Sequence, residues 1–270
     1  MNKLIIRSLV LTVLLLTSVS AWSQGTQVVD ILLSRPGEPV TLDIDILSAR
    51  IEVVGEDRSD AQIDVAVDAG ERKIITPSGT QQIKAASFSF EVEEDDNEIT
   101  VDTDWRADRA TVVARIPNRA NLSLHTVNDG ELIVSNITGN LELNNVNGPI
   151  TATGITGSVI AESVNNTIDV SFVRLDEDNA SAFETINGDL YVRLPTSLGA
   201  EIHLDTARGE MYSDFEVEVV PNSGNVTREN SRNGTIVRID NVVVVNVNGG
   251  GPVVRLKSLN GDIHILKAGQ

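Results

Sequence analysis

Cysteine is missing from the 270-residue chain. No disulfide can staple the fold, and no cysteine is available for an N-terminal lipid anchor. Aromatic residues are almost as scarce, at 3% against an apolar total of 41%. The core must be built from Val, Ile, Leu and Ala, which suits narrow, layered β packing better than a roomy pocket. Positive charge is short as well: 21 Lys and Arg face 39 Asp and Glu, for a formal net charge of -18. A field of that sign repels phosphate backbones and anionic lipid, so nucleic acid and membrane surfaces are poor partners. Serine-nucleophile motifs are absent, and no glycine loop leads into a helix to cradle phosphate.

Long apolar runs are rare too. The one at the start, Leu9 to Leu16, follows Lys3 and Arg7 and precedes Ala21-Trp22-Ser23, a small-x-small cleavage pattern. It falls short of the ~20 residues that span a bilayer and reads as a secretory signal over residues 1–23, cleaved near Ser23. Losing Lys3 and Arg7 takes the charge from -18 to -20. The expectation is a soluble periplasmic or secreted protein, without membrane insertion after cleavage.

What the chain does have is a beat. Leu132, Val134, Ile137 are followed nine residues later by Leu141, Leu143, Val146, then Ile150, Ala152, Ile155, then Val159, Ala161, Val164, then Ile168, Val170, Val173. Each set has the spacing i, i+2, i+5. The figure recurs at Leu122, Leu124, Val127 and at Val254, Leu256, Leu259, with a partial copy at Ile202, Leu204, Ala207. Alternation over i and i+2 belongs to a strand with one buried face, and the i+5 step requires a bend. Asn147-Gly148, Thr138-Gly139, Thr156-Gly157 and Asn165-Asn166 supply residues that tolerate sharp corners. A nine-residue repeat cannot offset its own ordering entropy, so neighbours must cover its edges.

Two all-β architectures use such a pattern. In a parallel β-helix-like β-solenoid, all three apolar residues point inward and a full turn takes two nine-residue sides, which brings Asn147 near Asn165. In an antiparallel β-meander or sandwich, Asn147-Gly148 is a hairpin turn. The apolar phase favours the solenoid over 121–270, with a less regular β-rich capping segment over 24–120 and one continuous domain over 24–270. Gly209 to Asn233 is a second capping candidate. Burial of Val146 implies that Val146→Asp destabilises strongly and Thr151→Asp mildly.

The quoted stretches "RLPTSLGAEIHLDTARGEMYSDF", "VNGPI", "INGDLYV" and "LKSLNGDIHILK" resemble the bacterial putative-adhesin β-strand-repeat family, a domain of unknown function, over approximately Val40 to Lys267. The resemblance implies an exported, β-solenoid-like protein and carries over no functional residue.

Candidate chemistry is sparse. Glu201, His203 and Asp205 share a strand face that could hold a metal, but a solvated outer face accounts for them. His125 and His264 have no ligand partner near in sequence. Glu91, Glu93, Glu94, Asp95, Asp96 and Glu98 lack calcium-loop spacing and read as a charged hairpin tip. Asp102, Asp104 and Asp169 are available for glycosidase chemistry, yet nothing in the sequence makes them converge. Trp105, Tyr191 and Tyr212 are scattered as sugar platforms, and the Thr151, Thr153 pair is not repeated as an ice-binding ladder needs. No catalytic, cofactor-binding or metal residue is assigned, and no cofactor is expected. The reading is a non-catalytic, adhesin-like envelope scaffold whose polar β surface meets an unknown envelope protein or glycan. The alternative is a carbohydrate-active enzyme or polysaccharide-binding protein on a β-helix.

Overall fold

The computed structural model describes residues 26–67, 90–103, 110–128, 130–221, 225–231, 234–240 and 242–269. The expected signal segment, Asp104 and Trp105 lie outside them. The described residues are all-β: twenty strands make one sheet of mixed orientation that comes close to closing on itself like a barrel, beside a separate hairpin of Asn225–Ser231 with Gly234–Asp240.

The sheet consists of two ladders joined through the long strand Ile150–Asn165. In spatial order the first runs Phe90–Asp95, Glu98–Thr103, Val40–Ile46, Ala120–Thr126, Thr138–Asn145 and the later part of Ile150–Asn165. It continues through Ser181–Asn187, Val253–Ser258, Ala200–Thr206, Val243–Val247 and Val217–Val219. The second runs Thr26–Ile31, Ala61–Val67, Ala110–Pro117, Ala49–Glu56, Leu132–Ser135 and the start of Ile150–Asn165. It then passes through Ile168–Leu175, Leu190–Leu194, Ile263–Lys267 and Met211–Ser213. Inner pairings are parallel; the antiparallel ones lie toward the ladder ends, where they cover edges that would otherwise invite another chain.

The beat fixes the central register. Thr138 pairs with Thr156, Leu141 with Val159, and Ile150 with Ile168, an offset of 18 residues. Leu143 therefore pairs with Leu124 and Ala161, not across an Asn147-Gly148 hairpin with Ala152. The i and i+2 residues of these repeats are buried in one continuous core.

The third position differs from the sequence expectation. Ile137 and Ile155, at the Thr-Gly corners, are fully buried. Val127, Val146 and Val164 are only half-buried, Leu259 is 49% exposed and Val173 60%, with Phe172 buried in its place. Strand alternation simply continues through i+4, so i+5 at the Asn corners faces outward beside Asn144 and its equivalents. The inward residue is instead a small polar one: Thr126, Asn145, Ser163, Thr185 and Ser258 are all buried and stack in register.

At most of these corners a carbonyl points inward and takes a donor from the polar slot; Ser163 Oγ is the exception, buried without a partner. Asn145 Nδ2 donates to the Gly130 carbonyl (3.0 Å), Thr185 Oγ1 to Asn166 (3.3 Å), Ser258 Oγ to Gly188 (3.0 Å) and Thr206 Oγ1 to Gly261 (3.1 Å). An apolar residue there would leave a buried acceptor unpaired. The same carbonyls crowd the next corner: a Cβ on Gly148 would sit 1.6 Å from the Gly130 oxygen, and one on Gly261 2.0 Å from that of Gly188. Glycine recurs at this corner because a Cβ would meet those carbonyls; Asn166 is the exception, at φ 143°.

Outside the corner, the asparagines stack. Asn147 Nδ2 donates to the Val127 carbonyl (3.0 Å), Asn165 to Asn147 Oδ1 (2.9 Å), Asn187 to Asn165 Oδ1 (2.8 Å) and Asn260 to Asn187 Oδ1 (2.8 Å). Arg208 completes the column on Asn260 (3.1 Å).

The acidic run forms a hairpin, as expected. Phe90–Asp95 pairs antiparallel with Glu98–Thr103 around Asp96 and Asn97, both at positive φ. Glu94 accepts from the Ser34 amide and hydroxyl and the Asn97 amide, which holds its carboxyl below the ordinary range. Asn97 is buried and exchanges two 2.7 Å hydrogen bonds with the Arg35 main chain. The tip thus clamps the turn that leads into Val40–Ile46.

Two outcomes follow for stability. Gly148→Ala forces the Gly130 carbonyl away and should cost on the order of 1–3 kcal/mol, whereas the half-exposed Val146→Asp should fall well below Leu143→Asp in urea unfolding. Asn165→Ala removes two links of the asparagine column and should cost about 1 kcal/mol, read as a lower urea midpoint at unchanged slope.

Candidate functional site

Aromatic residues that are scattered in sequence meet on the outer face of the second ladder. Leu190–Leu194, Ile263–Lys267 and Met211–Ser213 are neighbours in that order, so Tyr191, His264 and Tyr212 share one outward column. The rings stack: Tyr191 on His264 at 4.5 Å and 6°, His264 on Tyr212 at 4.9 Å and 11°. Below Tyr191 the column continues to Asp169, which forms an ion pair with Arg193, whose guanidinium carbon lies 5.9 Å from the Tyr191 ring centre. Burial pushes the Asp169 carboxyl up, and Arg193 opposes the shift.

An acidic column runs alongside. The Glu210 amide donates to Asp262 Oδ1 (2.8 Å) and the Asp262 amide to Asp189 Oδ1 (2.9 Å), so each carboxylate caps the next strand's start. Tyr212 Oη donates to Glu210 Oε2 at 2.6 Å; Tyr191 Oη lies 3.5 Å from Asp189 Oδ2. Burial first, and then Asp189, raise the Tyr191 phenol; the Glu210 hydrogen bond raises that of Tyr212. Tyr212 is 46% exposed, so the last ring presents a face to solvent. Chemically this is a rigid aromatic edge with carboxylate acceptors, suited to binding.

The sequence reading missed this column, although the signal existed. "GDLY", "GDIH" and "GEMY" are copies of one motif, with Tyr191, His264 and Tyr212 in the same slot and Asp189, Asp262 and Glu210 two residues earlier.

The other candidates stay apart from it. His203 Nε2 lies 2.7 Å from Glu201 Oε1, with Asp205 further along the same strand of the first ladder. His125 Nδ1 is 3.9 Å from Asp45 in that ladder. Asp102 lies on Glu98–Thr103, in the other ladder from Asp169. Among the described residues, no three His, Asp or Glu side chains group to hold a metal, and no helix is long and apolar enough to cross a membrane.

A second feature lies at the asparagine corner. A cleft of ≈ 360 Å³ is lined by His125, Val146, Glu162, Val164, Glu184 and Ile186, among others.

No family model matches the chain, and no curated protein matches it. Among solved structures, it is similar to a "putative cell adhesion protein" of Clostridium sporogenes at 12% identity and TM-score 0.47, over 90% of this chain and 98% of that one. It is also similar to a "putative adhesin" of Bacteroides fragilis (12%, TM-score 0.39, 91% and 98%) and a "putative lipid binding protein" of Parabacteroides distasonis (12%, TM-score 0.34, 90% and 98%).

The raised phenols set a pH dependence. A folded pKa above the unfolded value of about 10 means that the native state keeps a proton the unfolded chain has lost. Stability is then fully present below pH 10 and declines as pH rises through the folded values. The chain has two tyrosines, both in this column, so tyrosinate absorbance reads the site directly. In urea unfolding between pH 8 and 11, Tyr191→Phe should flatten the alkaline decline.

Proposed function

We propose that the chain is an exported, non-catalytic cell-envelope protein. It winds as an adhesin-like β-solenoid, one continuous unit from residue 24, and presents its outer β surface to an envelope protein or glycan. The observation that carries the reading is the register of the outer face. Side chains of one kind stack across consecutive strands, as in the column from Asn147 to Asn260. Ladder hydrogen bonds lock such columns about 4.8 Å apart, which makes the surface a stiff, periodic template for contact.

Export rests on the signal at residues 1–23, with the periplasm or the exterior as destination. The acidic charge of -18 favours neutral or basic partners.

A polysaccharide-binding reading of the same scaffold is favoured by one observation. Tyr191, His264 and Tyr212 do converge, beside Asp189, Asp262 and Glu210. An exposed tyrosine face next to carboxylate acceptors matches the apolar face and hydroxyl edge of a sugar.

The test is a binding screen of the purified exported protein against envelope glycans and envelope proteins, with polysaccharide turnover assayed in parallel. Saturable binding without turnover is the expected result, with a mature mass that begins near Ser23. Tyr212→Ala should weaken glycan binding if the aromatic column is the contact. Turnover of any polysaccharide would overturn the non-catalytic reading.

A further inference from the structure

The outward i+5 residues at the asparagine corner form a continuous apolar stripe: Leu47, Val127, Val146, Val164, Ile186 and Leu259, on successive strands. Mutual packing of β-branched side chains explains the half-burial of the three valines. It does not explain why Leu47, Ile186 and Leu259 remain 50%, 40% and 49% exposed while the columns on either side are polar. One border is the asparagine column. The other, two residues back along each strand, reads Asp45, His125, Asn144, Glu162, Glu184, Lys257 and, on the next strand, Asp205. It holds four carboxylates against one lysine, and Lys257 is paired with Glu184. The ≈ 360 Å³ cleft lies where stripe and acidic border meet.

We propose that this stripe binds a cationic amphipathic helix of a partner protein. Three features of the surface select that occupant. From Leu47 to Leu259 the stripe crosses five strand spacings, roughly 24 Å, which a helix of about 16 residues covers. One helical turn advances about 5.4 Å against about 4.8 Å per strand, so successive apolar turns fall close to successive stripe residues. An extended peptide repeats its same-face side chains every ~6.8 Å and loses step with the strands. The acidic border supplies the third feature: it attracts a basic flank and repels a second copy of this chain, which carries the same border and a charge of -18. A surface this narrow lies below a standard interface, so the contact is transient and steered by charge.

The stripe is the protein-contact part of the scaffold proposed above. If the chain binds envelope material yet ignores the helix, the scaffold stands and the helix is withdrawn.

The experiment titrates the purified protein with a labelled 18-residue Leu/Lys amphipathic helix and follows anisotropy. Saturable one-to-one binding is expected, at least tenfold weaker for the triple variant Val146→Thr, Val164→Thr, Ile186→Thr. Glu162→Gln with Glu184→Gln should weaken binding and flatten its salt dependence; being on the exposed border, this pair also serves if the triple variant does not fold. Equal binding of a Leu/Glu helix, or of a proline-interrupted Leu/Lys peptide, overturns the proposal. So does an unchanged triple variant, absence of binding, or concentration-dependent dimers that the triple variant abolishes.

Discussion

Parallel main-chain pairing between repeats requires that the chain turn the same corner each time, and the corner is limited by its own carbonyl oxygens. At all but the Ser163–Asn166 corner, such an oxygen takes a donor from inside the wall and faces a neighbour without a Cβ. Thr126, Asn145, Thr185, Ser258 and Thr206 are suited to the first demand, and Gly148, Gly188, Gly261 and Gly209 to the second. With both met, the strands on either side fall into register and the aliphatic core closes between them. Without them, the i and i+2 burial that dominates the pattern would have no fixed geometry to act on.

That constraint also shapes the exterior. Because the inward slot before the corner is taken by a polar side chain, the aliphatic residue after it is turned out to solvent. The asparagine then lands directly above the asparagine of the preceding repeat, at hydrogen-bonding distance. Outer columns are thus a by-product of corner chemistry, available for binding without disturbing the core. The tyrosine-histidine stack has the same origin on the second ladder, where the residue after Gly-Asp-Leu, or its equivalent, is turned out three times in succession.

The i, i+2 burial, the nine-residue beat, the 18-residue offset and the asparagine stacking were all legible in the sequence, since each depends on local alternation and on turn-forming residues. The fate of Val146 was not. Polar residues are usually read as outward, and Asn145 is inward because of a carbonyl that belongs to a different repeat. Comparing "TVN", "NVN", "SVN", "TIN" and "SLN" would have exposed the buried polar slot. The aromatic column was hidden by separation: Tyr191, Tyr212 and His264 become neighbours only through pairings that no local spacing predicts.

Those pairings place the two strands within residues 253–267 inside the stack. Val253–Ser258 lies between Ser181–Asn187 and Ala200–Thr206, and Ile263–Lys267 between Leu190–Leu194 and Met211–Ser213. Near the other end, Val40–Ile46 lies between Glu98–Thr103 and Ala120–Thr126. A polypeptide emerging from its N-terminus therefore cannot finish this wall row by row. Each of these rows pairs segments far apart in sequence, so the wall closes through slow, non-local contacts.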